Sequence, residues 1–190
     1  MKPKDENKIR DIYRATLDLV KAKGLAGITM GQIAKQAGLA TGTVYIYFTN
    51  KDELINSLFA VCRKASAEVY FKDYDPQAPF KEAFRTVWMN IMHYRLEKFE
   101  ESVFIEQCYH SPFINADSRD IARQVLKPLF SLVERGKKQR LIKQVDTLLL
   151  LSYIVGSMNE VVRHAHYNGR RLSSKEVDTI FGFCWDGLKT

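Results

Sequence analysis

One stretch, TMGQIAKQAGLATGTVYIYFTNK, limits the folds open to this chain more than any other. It runs from Thr29 to Lys51 and contains two apolar-periodic segments on either side of Gly38. Thr29 followed three residues later by Gln32 is the capping-box pattern that begins a helix, and glycine supplies the left-handed backbone that ends one. We therefore predict two short helices joined by a tight turn, the second beginning near Thr41.

Two short helices that cross at a fixed angle need a small residue at the crossing point and apolar residues around it. Ala34 is the small residue, and the apolar positions are filled in register by Ile33, Ala37, Leu39, Val44 and Tyr47. This pattern predicts a helix-turn-helix, whose second helix enters the major groove of DNA. The residues available for contacts with DNA, or for supporting them, are Thr29, Gln32, Thr41, Gly42, Thr43, Tyr45, Ile46, Tyr47 and Lys51.

These residue types match the chemistry of a DNA surface. Threonine hydroxyls bond base edges or phosphates, and an exposed Ile46 suits a thymine methyl group. Tyrosine hydroxyls and a lysine suit phosphates, and Gly42 leaves room for a sugar-phosphate backbone. The chain has a net charge of +7, and no acidic residue lies between Asp18 and Asp52. Such a locally positive surface favours a polyanionic partner.

The rest of the chain has helical periodicity, and no segment alternates as a strand does. We predict an all-α fold of about nine helices, the first from about Lys4 to Lys23 and a longer one from Asn50 to about Phe71, with an inward stripe that includes Val61, Ala65 and Val69. The predicted division is a helix-turn-helix domain over 1–50 and a helical ligand-binding and dimerisation domain over 51–190.

The composition, 46% hydrophobic and 27% charged, is that of an ordinary globular protein. No run approaches about 18 uncharged apolar residues, and the N-terminal residues lack a secretory pattern. We expect a cytoplasmic protein without a membrane-spanning segment. Cys62, Cys108 and Cys184 are too scattered for a disulfide framework and are expected to be small buried hydrophobes.

The last two predicted helices, 146–166 and 173–188, are more apolar than one chain of this size can cover. A second copy related by a two-fold axis is the simplest cover, so we predict a homodimer. The candidate interface residues are Leu149, Ile154, Val161, Val177, Phe181 and Trp185.

The same region is rich in aromatic residues and methionine, which form either plain core or an apolar pocket. The candidate pocket residues are Trp88, Met92, Phe104, Tyr109, Phe130, Tyr153 and Met158, and an apolar or aromatic small molecule is the expected effector. The four histidines, His93, His110, His164 and His166, suggest no metal-binding set, and no nucleophile-base pair is visible. We therefore predict no catalytic site, metal or cofactor.

The run ITMGQIAKQAGLATGTVYIYFTNKDEL, Ile28 to Leu54, closely resembles the DNA-binding signature of TetR-family transcriptional regulators. The core of that signature, G-T-V-Y-x-Y-F-x-x-K-x-x-L, stands here as Gly42, Thr43, Val44, Tyr45, Tyr47, Phe48, Lys51 and Leu54. The resemblance implies an all-α dimer with a small DNA-binding domain, a variable effector domain, and a four-helix dimer interface built from the last two helices.

Two positions depart from the family pattern. Ala40 and Thr41 stand where many members have Ser-Lys, so Thr41 is the expected cap of the second helix. Tyr47 stands where many members have histidine. The favoured hypothesis is a repressor that a ligand releases from a palindromic operator. An activator or a ligand-independent DNA-binding protein of the same fold stays open, as does, far behind, an enzyme on a helical scaffold.

Overall fold

The computed structural model of this protein describes residues 5–109 and 111–190, so the predicted helix start at Lys4 and His110 lie outside the described residues. Within the described residues the chain forms nine α-helices. The β structure of this part is limited to an isolated antiparallel bridge between Ile142 and Lys189. The all-α prediction is confirmed. Among the described helices, none combines the length and the apolar character needed to cross a lipid bilayer.

The helix bounds follow the predicted breaks closely. The helices are α1 (Glu6–Lys23), α2 (Met30–Gln36), α3 (Thr41–Tyr47), α4 (Lys51–Tyr70), α5 (Phe80–Glu97), α6 (Phe99–Tyr109), α7 (Ala116–Lys138), α8 (Thr147–Tyr167) and α9 (Ser174–Leu188).

Side-chain caps explain why several helices begin where they do. Asp5 accepts a hydrogen bond from the backbone of Asn7 at 3.0 Å and starts α1. At α9, Ser173 and Glu176 form a reciprocal capping box. The backbone N–H and hydroxyl of Ser173 donate to Glu176, and these bonds hold the pKa of that carboxyl below its ordinary value. Each cap satisfies backbone donors that a helix N-terminus otherwise leaves unpaired.

The chain divides into two compact units, Met1–Ala65 with Glu100–Arg123, and Ser66–Phe99 with Gln124–Thr190. This division differs from the expected boundary at residue 50, because α6 and the start of α7 share a core with the N-terminal helices. Phe104, Ile105 and Cys108 of α6 lie in the same apolar cluster as Ile12 of α1 and Ile33 of α2. Both α4 and α7 contribute residues to both units.

The buried face of α4 differs from the predicted stripe. Val61, Ala65 and Val69 are exposed, whereas Ile55 and Phe59 are buried. The apolar residues of α4 exceed what one helix face holds, so periodicity alone does not identify the buried set.

The core of the second unit contains an aromatic cluster where α5 meets α9. The Trp88 and Phe181 rings meet edge to face, with centroids 5.3 Å apart, and Phe84 lies 6.1 Å from both Phe181 and Trp185. Such tilted ring pairs add stabilisation beyond the apolar area they bury. Phe181, which was predicted at a dimer interface, is thus buried in its own chain, and Trp185, predicted there as well, packs on the same rings but stays half-buried.

Gly136 of α7 leaves the space that the Phe80 ring occupies in this core. A Cβ at this position would lie 2.3 Å from Cζ of the Phe80 ring, closer than two carbon atoms approach. We predict that Gly136→Ala lowers the free energy of unfolding by about 1–3 kcal/mol, because the Phe80 ring is forced out of place. A urea denaturation curve measures this change.

The matched control is Gly31→Ala, because a Cβ at this helical glycine meets nothing within 4 Å. This variant gains about 0.5–1 kcal/mol from the better helix propensity of alanine. Equal effects of the two substitutions would contradict the packing of Phe80 on Gly136.

Candidate nucleic-acid interface

The turn between α2 and α3 has the geometry that the sequence predicts. The Thr29 hydroxyl accepts from the backbone N–H of Gln32 at 3.3 Å, and the Gln32 side-chain oxygen accepts from the Thr29 N–H at 3.0 Å. At the other end Gly38 has φ +68°, a value that favours glycine. Leu39 N–H donates to the Ala34 carbonyl at 2.9 Å, and Gly38 N–H donates to Lys35 at 3.2 Å. Together these two bonds form a Schellman motif, which fixes the direction in which the chain leaves α2.

The start of α3 corrects one expectation. Thr41 is the first residue of the helix rather than its cap. The N-cap is Ala40, which offers no side-chain hydrogen bond. A helix of seven residues is marginal by itself, so packing must hold it. Val44 and Tyr47 supply that packing, since both are buried in the core of the first unit.

The opposite face of α3 is exposed and unusually apolar. Ile46 is 71% exposed and Tyr45 is 49% exposed, whereas their neighbours Val44 and Tyr47 are buried. Thr41 and Gly42 are also exposed, and Thr43 is half-buried. Six of the predicted contact residues thus lie on α3. Five of them reach the surface at least in part, whereas the ring of Tyr47 belongs to the core.

Gly42 has no structural reason to be glycine. Its φ is not in the left-handed region, and a Cβ at this position would meet nothing within 4 Å. A side chain is therefore compatible with the folded chain. The space beside Gly42 is open for a partner that approaches the backbone closely.

Lys51 is placed differently from the other candidates. Its ammonium donates to the carbonyls of Leu25 and Ile28, at 3.2 and 3.1 Å, and lies 4.7 Å from the centre of the Phe113 ring. These contacts tie the start of α4 to the segment that precedes α2. The described geometry therefore gives Lys51 a structural role that its place in the motif does not reveal.

The positive surface is smaller than the sequence window suggests. Lys21 donates to the carboxylate of Glu100 at 2.6 Å, so an acidic residue from outside the window opposes it. Lys23 and Lys35 have exposed side chains. Folding thus neutralises part of a charge pattern that is unopposed along the chain.

A segment far away in sequence supports this surface. The Asn56 amide of α4 donates to the Phe113 carbonyl at 2.9 Å and accepts from the Asn115 N–H at 3.0 Å. The Gln107 side chain accepts from the N–H of Leu25 at 2.8 Å. Sequence reasoning missed these residues, because the bonds join positions 57 to 82 residues apart that no local pattern connects.

An open groove of about 630 Å³ lies along the contact of α4 with residues 112–121 and is lined by residues such as Asn50, Glu53, Asn56, Phe113 and Ser118. None of the predicted pocket residues lines it. Among those residues Trp88, Met92 and Met158 are buried in the second unit, while Phe104 is buried in the first. Phe130 is half-buried, and Tyr109 and Tyr153 are exposed.

The predicted interface residues also separate into two groups. Ile154, Val177 and Phe181 are buried within the chain, and Val161 and Trp185 are half-buried. Only Leu149, at 62% exposed, presents a large apolar surface. Ile154, Val177 and Phe181 therefore offer little surface to a partner, and the dimer interface itself stays a prediction. The exposed large apolar residues of α8 and α9 are Leu148, Leu149, Tyr153, Tyr167 and Phe183.

The three cysteines are buried free thiols. Burial raises the pKa of Cys62 to about 12 and that of Cys184 to about 11, and it raises the pKa of Cys108 as well. A thiol that stays protonated is a poor nucleophile, so these cysteines behave as small core residues.

Two family profiles match this chain. The profile described as "Bacterial regulatory proteins, tetR family" matches residues 12–58, which contain the helix-turn-helix. The profile described as "Tetracyclin repressor-like, C-terminal domain" matches residues 79–189, more than half of the chain. The chain belongs to the TetR family. It is therefore a DNA-binding transcriptional regulator, as the helix-turn-helix predicts.

Curated relatives and solved structures agree with this assignment. An HTH-type transcriptional regulator of Haemophilus influenzae is 37% identical over 86 residues, which span 45% of this chain and 46% of that protein. The fatty acid metabolism regulator protein of Bacillus subtilis is 27% identical over 160 residues, 82% of this chain and 81% of that protein. A TetR-family regulator from Marinobacter aquaeolei has the same fold, with a TM-score of 0.87 at 23% identity, over 100% of this chain and 99% of that one.

The contacts of Lys51 generate a prediction that separates its structural role from DNA binding. We expect Lys51→Met to lower the free energy of unfolding by about 1–3 kcal/mol, because the Leu25 and Ile28 carbonyls lose a charged donor. Urea denaturation measures this loss. Lys64→Met is the matched control on the same helix, because Lys64 is exposed, and its effect should stay within about 0.5 kcal/mol. If both variants are as stable as the wild type, the Lys51 contacts do not hold the helices.

Proposed function

We propose that this TetR-family regulator is a homodimeric repressor that binds a palindromic DNA operator through α3 and leaves it when a small molecule binds to the helices beyond residue 50. The observation that carries the proposal is the exposed face of α3. Ile46 and Tyr45 are exposed to solvent on a helix whose other face is buried. Exposing such apolar surface is unfavourable unless a partner covers it.

Each exposed residue of α3 has a chemical role in this proposal. Ile46 contacts a thymine methyl group, and the Thr41 and Thr43 hydroxyls bond base edges or phosphates. Tyr45 donates its hydroxyl to a phosphate. The open space at Gly42 lets the sugar-phosphate backbone approach the helix.

Residues at the N-terminal end of α2, including its N-cap, complete the contacts to the DNA backbone. Capping uses only the side-chain oxygen of Gln32, so its amide N–H groups stay available as phosphate donors. The Thr29 hydroxyl accepts one bond in the cap and can still donate. In this proposal Lys51 and Tyr47 act by fixing the position of α3, with the Tyr47 hydroxyl as a further phosphate contact.

Dimerisation is proposed to use the outer face of α8 and α9. Leu148, Leu149 and Phe183 expose large apolar side chains there. Gly156 and Gly182 lie on the same two helices, and a Cβ at either would meet nothing within 4 Å. Helical glycines with open space beside them, such as the exposed Gly156 and the half-buried Gly182, allow another helix to approach closely. A two-fold dimer also presents two copies of α3, which must lie about 34–36 Å apart, or a multiple of that, to meet successive major grooves.

The proposed effector is an apolar or aromatic small molecule. Trp88, Met92 and Met158 give the second unit a core of adaptable side chains suited to such a ligand. A related Bacillus subtilis regulator, FadR, has been solved in complex with stearoyl-CoA. Since α4 contributes residues to both units, a ligand that shifts α4 changes the spacing of the two α3 helices. The proposal includes no catalytic step.

The operator can be identified by selection from random DNA with the purified protein. We expect a palindromic site whose affinity falls steeply with salt, because several phosphates are neutralised. Tyr45→Ala and Ile46→Ala should each weaken binding to that site by about 10- to 100-fold, the value of one good base or backbone contact. Fluorescence anisotropy with a labelled fragment measures the affinities.

Val61→Ala is the control for these variants, since it removes a similarly exposed apolar side chain from α4 of the same unit. Its operator affinity and melting temperature should match the wild type. Selection that enriches no common sequence, or equal affinity of all variants for the site, would overturn the proposed role of α3.

The dimer generates a separate prediction. Phe183→Asp, at a residue 69% exposed in the single chain, should convert the protein to monomers and abolish tight operator binding without lowering its helix content. Sedimentation velocity gives the oligomeric state. Tyr109→Asp serves as the control, because Tyr109 is also exposed but lies on α6. A Phe183→Asp protein that remains dimeric would place the interface elsewhere.

A further inference from the structure

The second unit contains a buried positive charge that has no counter-ion among the residues that the structure describes. Arg95 of α5 is only 6% exposed, and its Nη1 donates to the side-chain oxygen of Asn159 on α8. Its Nε has no hydrogen-bond partner among the described residues. Arg95 is absent from the ion pairs of the described chain, so a neutral amide is its polar partner.

The surroundings of Arg95 on its helix are apolar. Trp88, Ile91 and Met92 lie three to seven residues before it on the buried face of α5, and all three are almost fully buried. Met158, next to Asn159 on α8, is fully buried as well. A charge in such a place is costly, and proteins normally pair a buried arginine with a carboxylate or another anion.

A second arginine on the same helix shows the ordinary arrangement. Arg85 is half-exposed and donates to the carboxylate of Asp178 at 2.6 Å. Within the described chain, the arginine that water already solvates thus has a carboxylate partner, whereas the one that water does not reach has only a neutral amide. Stability alone does not account for this choice, because a methionine at position 95 would continue the apolar stripe at no charge cost.

We propose that Arg95 is the specificity-determining residue for an effector that joins an oxyanion to an apolar body. The guanidinium would bind a carboxylate or phosphate through its unused N–H donors, and Asn159 would hold the guanidinium in position. The methionine and aromatic side chains along α5 and α8 would contact the apolar part. This inference rests on the proposed ligand-controlled repressor and deepens it by naming the chemical class of the effector.

The test compares anions with neutral molecules of the same shape on the full-length protein. Hexanoate, decanoate, phenylacetate and decyl phosphate are each paired with the corresponding alcohol. The shift in melting temperature is measured first for every compound. The anion with the largest shift is then titrated by calorimetry. Decanoate and decyl phosphate share one chain, so their comparison distinguishes a carboxylate from a phosphate. We expect at least one anion to stabilise the wild type more than its alcohol does.

Two variants at position 95 isolate the charge. Arg95→Met and Arg95→Gln should weaken binding of the best anion by about 10- to 100-fold, the range for a hydrogen bond to a charged group. Their affinity for the alcohol should not change, and without ligand the Arg95→Gln protein should melt at or above the wild-type temperature. Arg85→Met is the matched control, and it should bind the anion as the wild type does.

Any of four results would overturn the inference. These are an absence of stabilisation by every anion, equal stabilisation of the wild type by anion and alcohol, full anion affinity in the Arg95→Gln protein, and a melting temperature of that protein below the wild type. Operator binding in the same samples separates this failure from that of the repressor proposal. If the wild-type protein binds its selected DNA site but none of the anions, the proposed oxyanion effector is refuted and the proposed DNA binding is not.

Discussion

The structure depends on the packing of α3, a helix too short to be stable in isolation. α3 has seven residues and no side-chain cap, so its position is set by the burial of Val44 and Tyr47 and by the Schellman turn at Gly38. Burial of these two residues leaves Tyr45 and Ile46 on the outside, because successive helix positions point in different directions. One packing requirement thus both holds the helix and selects the surface that we propose contacts DNA.

Residues well beyond the helix-turn-helix hold that packing in place. Lys51 binds the carbonyls that precede α2, and Gln107 of α6 binds Leu25 in the same segment. Asn56 of α4 fastens the segment that contains Phe113 and Asn115. The proposed DNA-contacting surface is therefore supported by a hydrogen-bonded network that includes α4 and α6. Changes in these helices have a direct physical route to it.

Two cationic side chains, Lys51 and Arg95, differ in how well the folded chain solvates their charge. The ammonium of Lys51 has two carbonyl oxygens and the face of an aromatic ring, so its charge is well solvated by the protein. The guanidinium of Arg95 has one amide oxygen and an apolar stripe. A charge of the first kind stabilises the fold, whereas one of the second kind costs stability, and that cost is the ground on which we assign Arg95 to an anionic effector.

The sequence alone determined the all-α class, the helix breaks and the helix-turn-helix, because caps, glycine turns and apolar periodicity act between residues only a few positions apart. It also identified the residues that line the exposed face of α3. Only the tertiary structure decided that Lys51 binds carbonyls, that Glu100 opposes Lys21, and that Phe181 and Val177 fill their own chain's core. These outcomes depend on contacts between segments that are distant in sequence. The identity of an apolar side chain does not indicate whether its own chain or a partner will bury it.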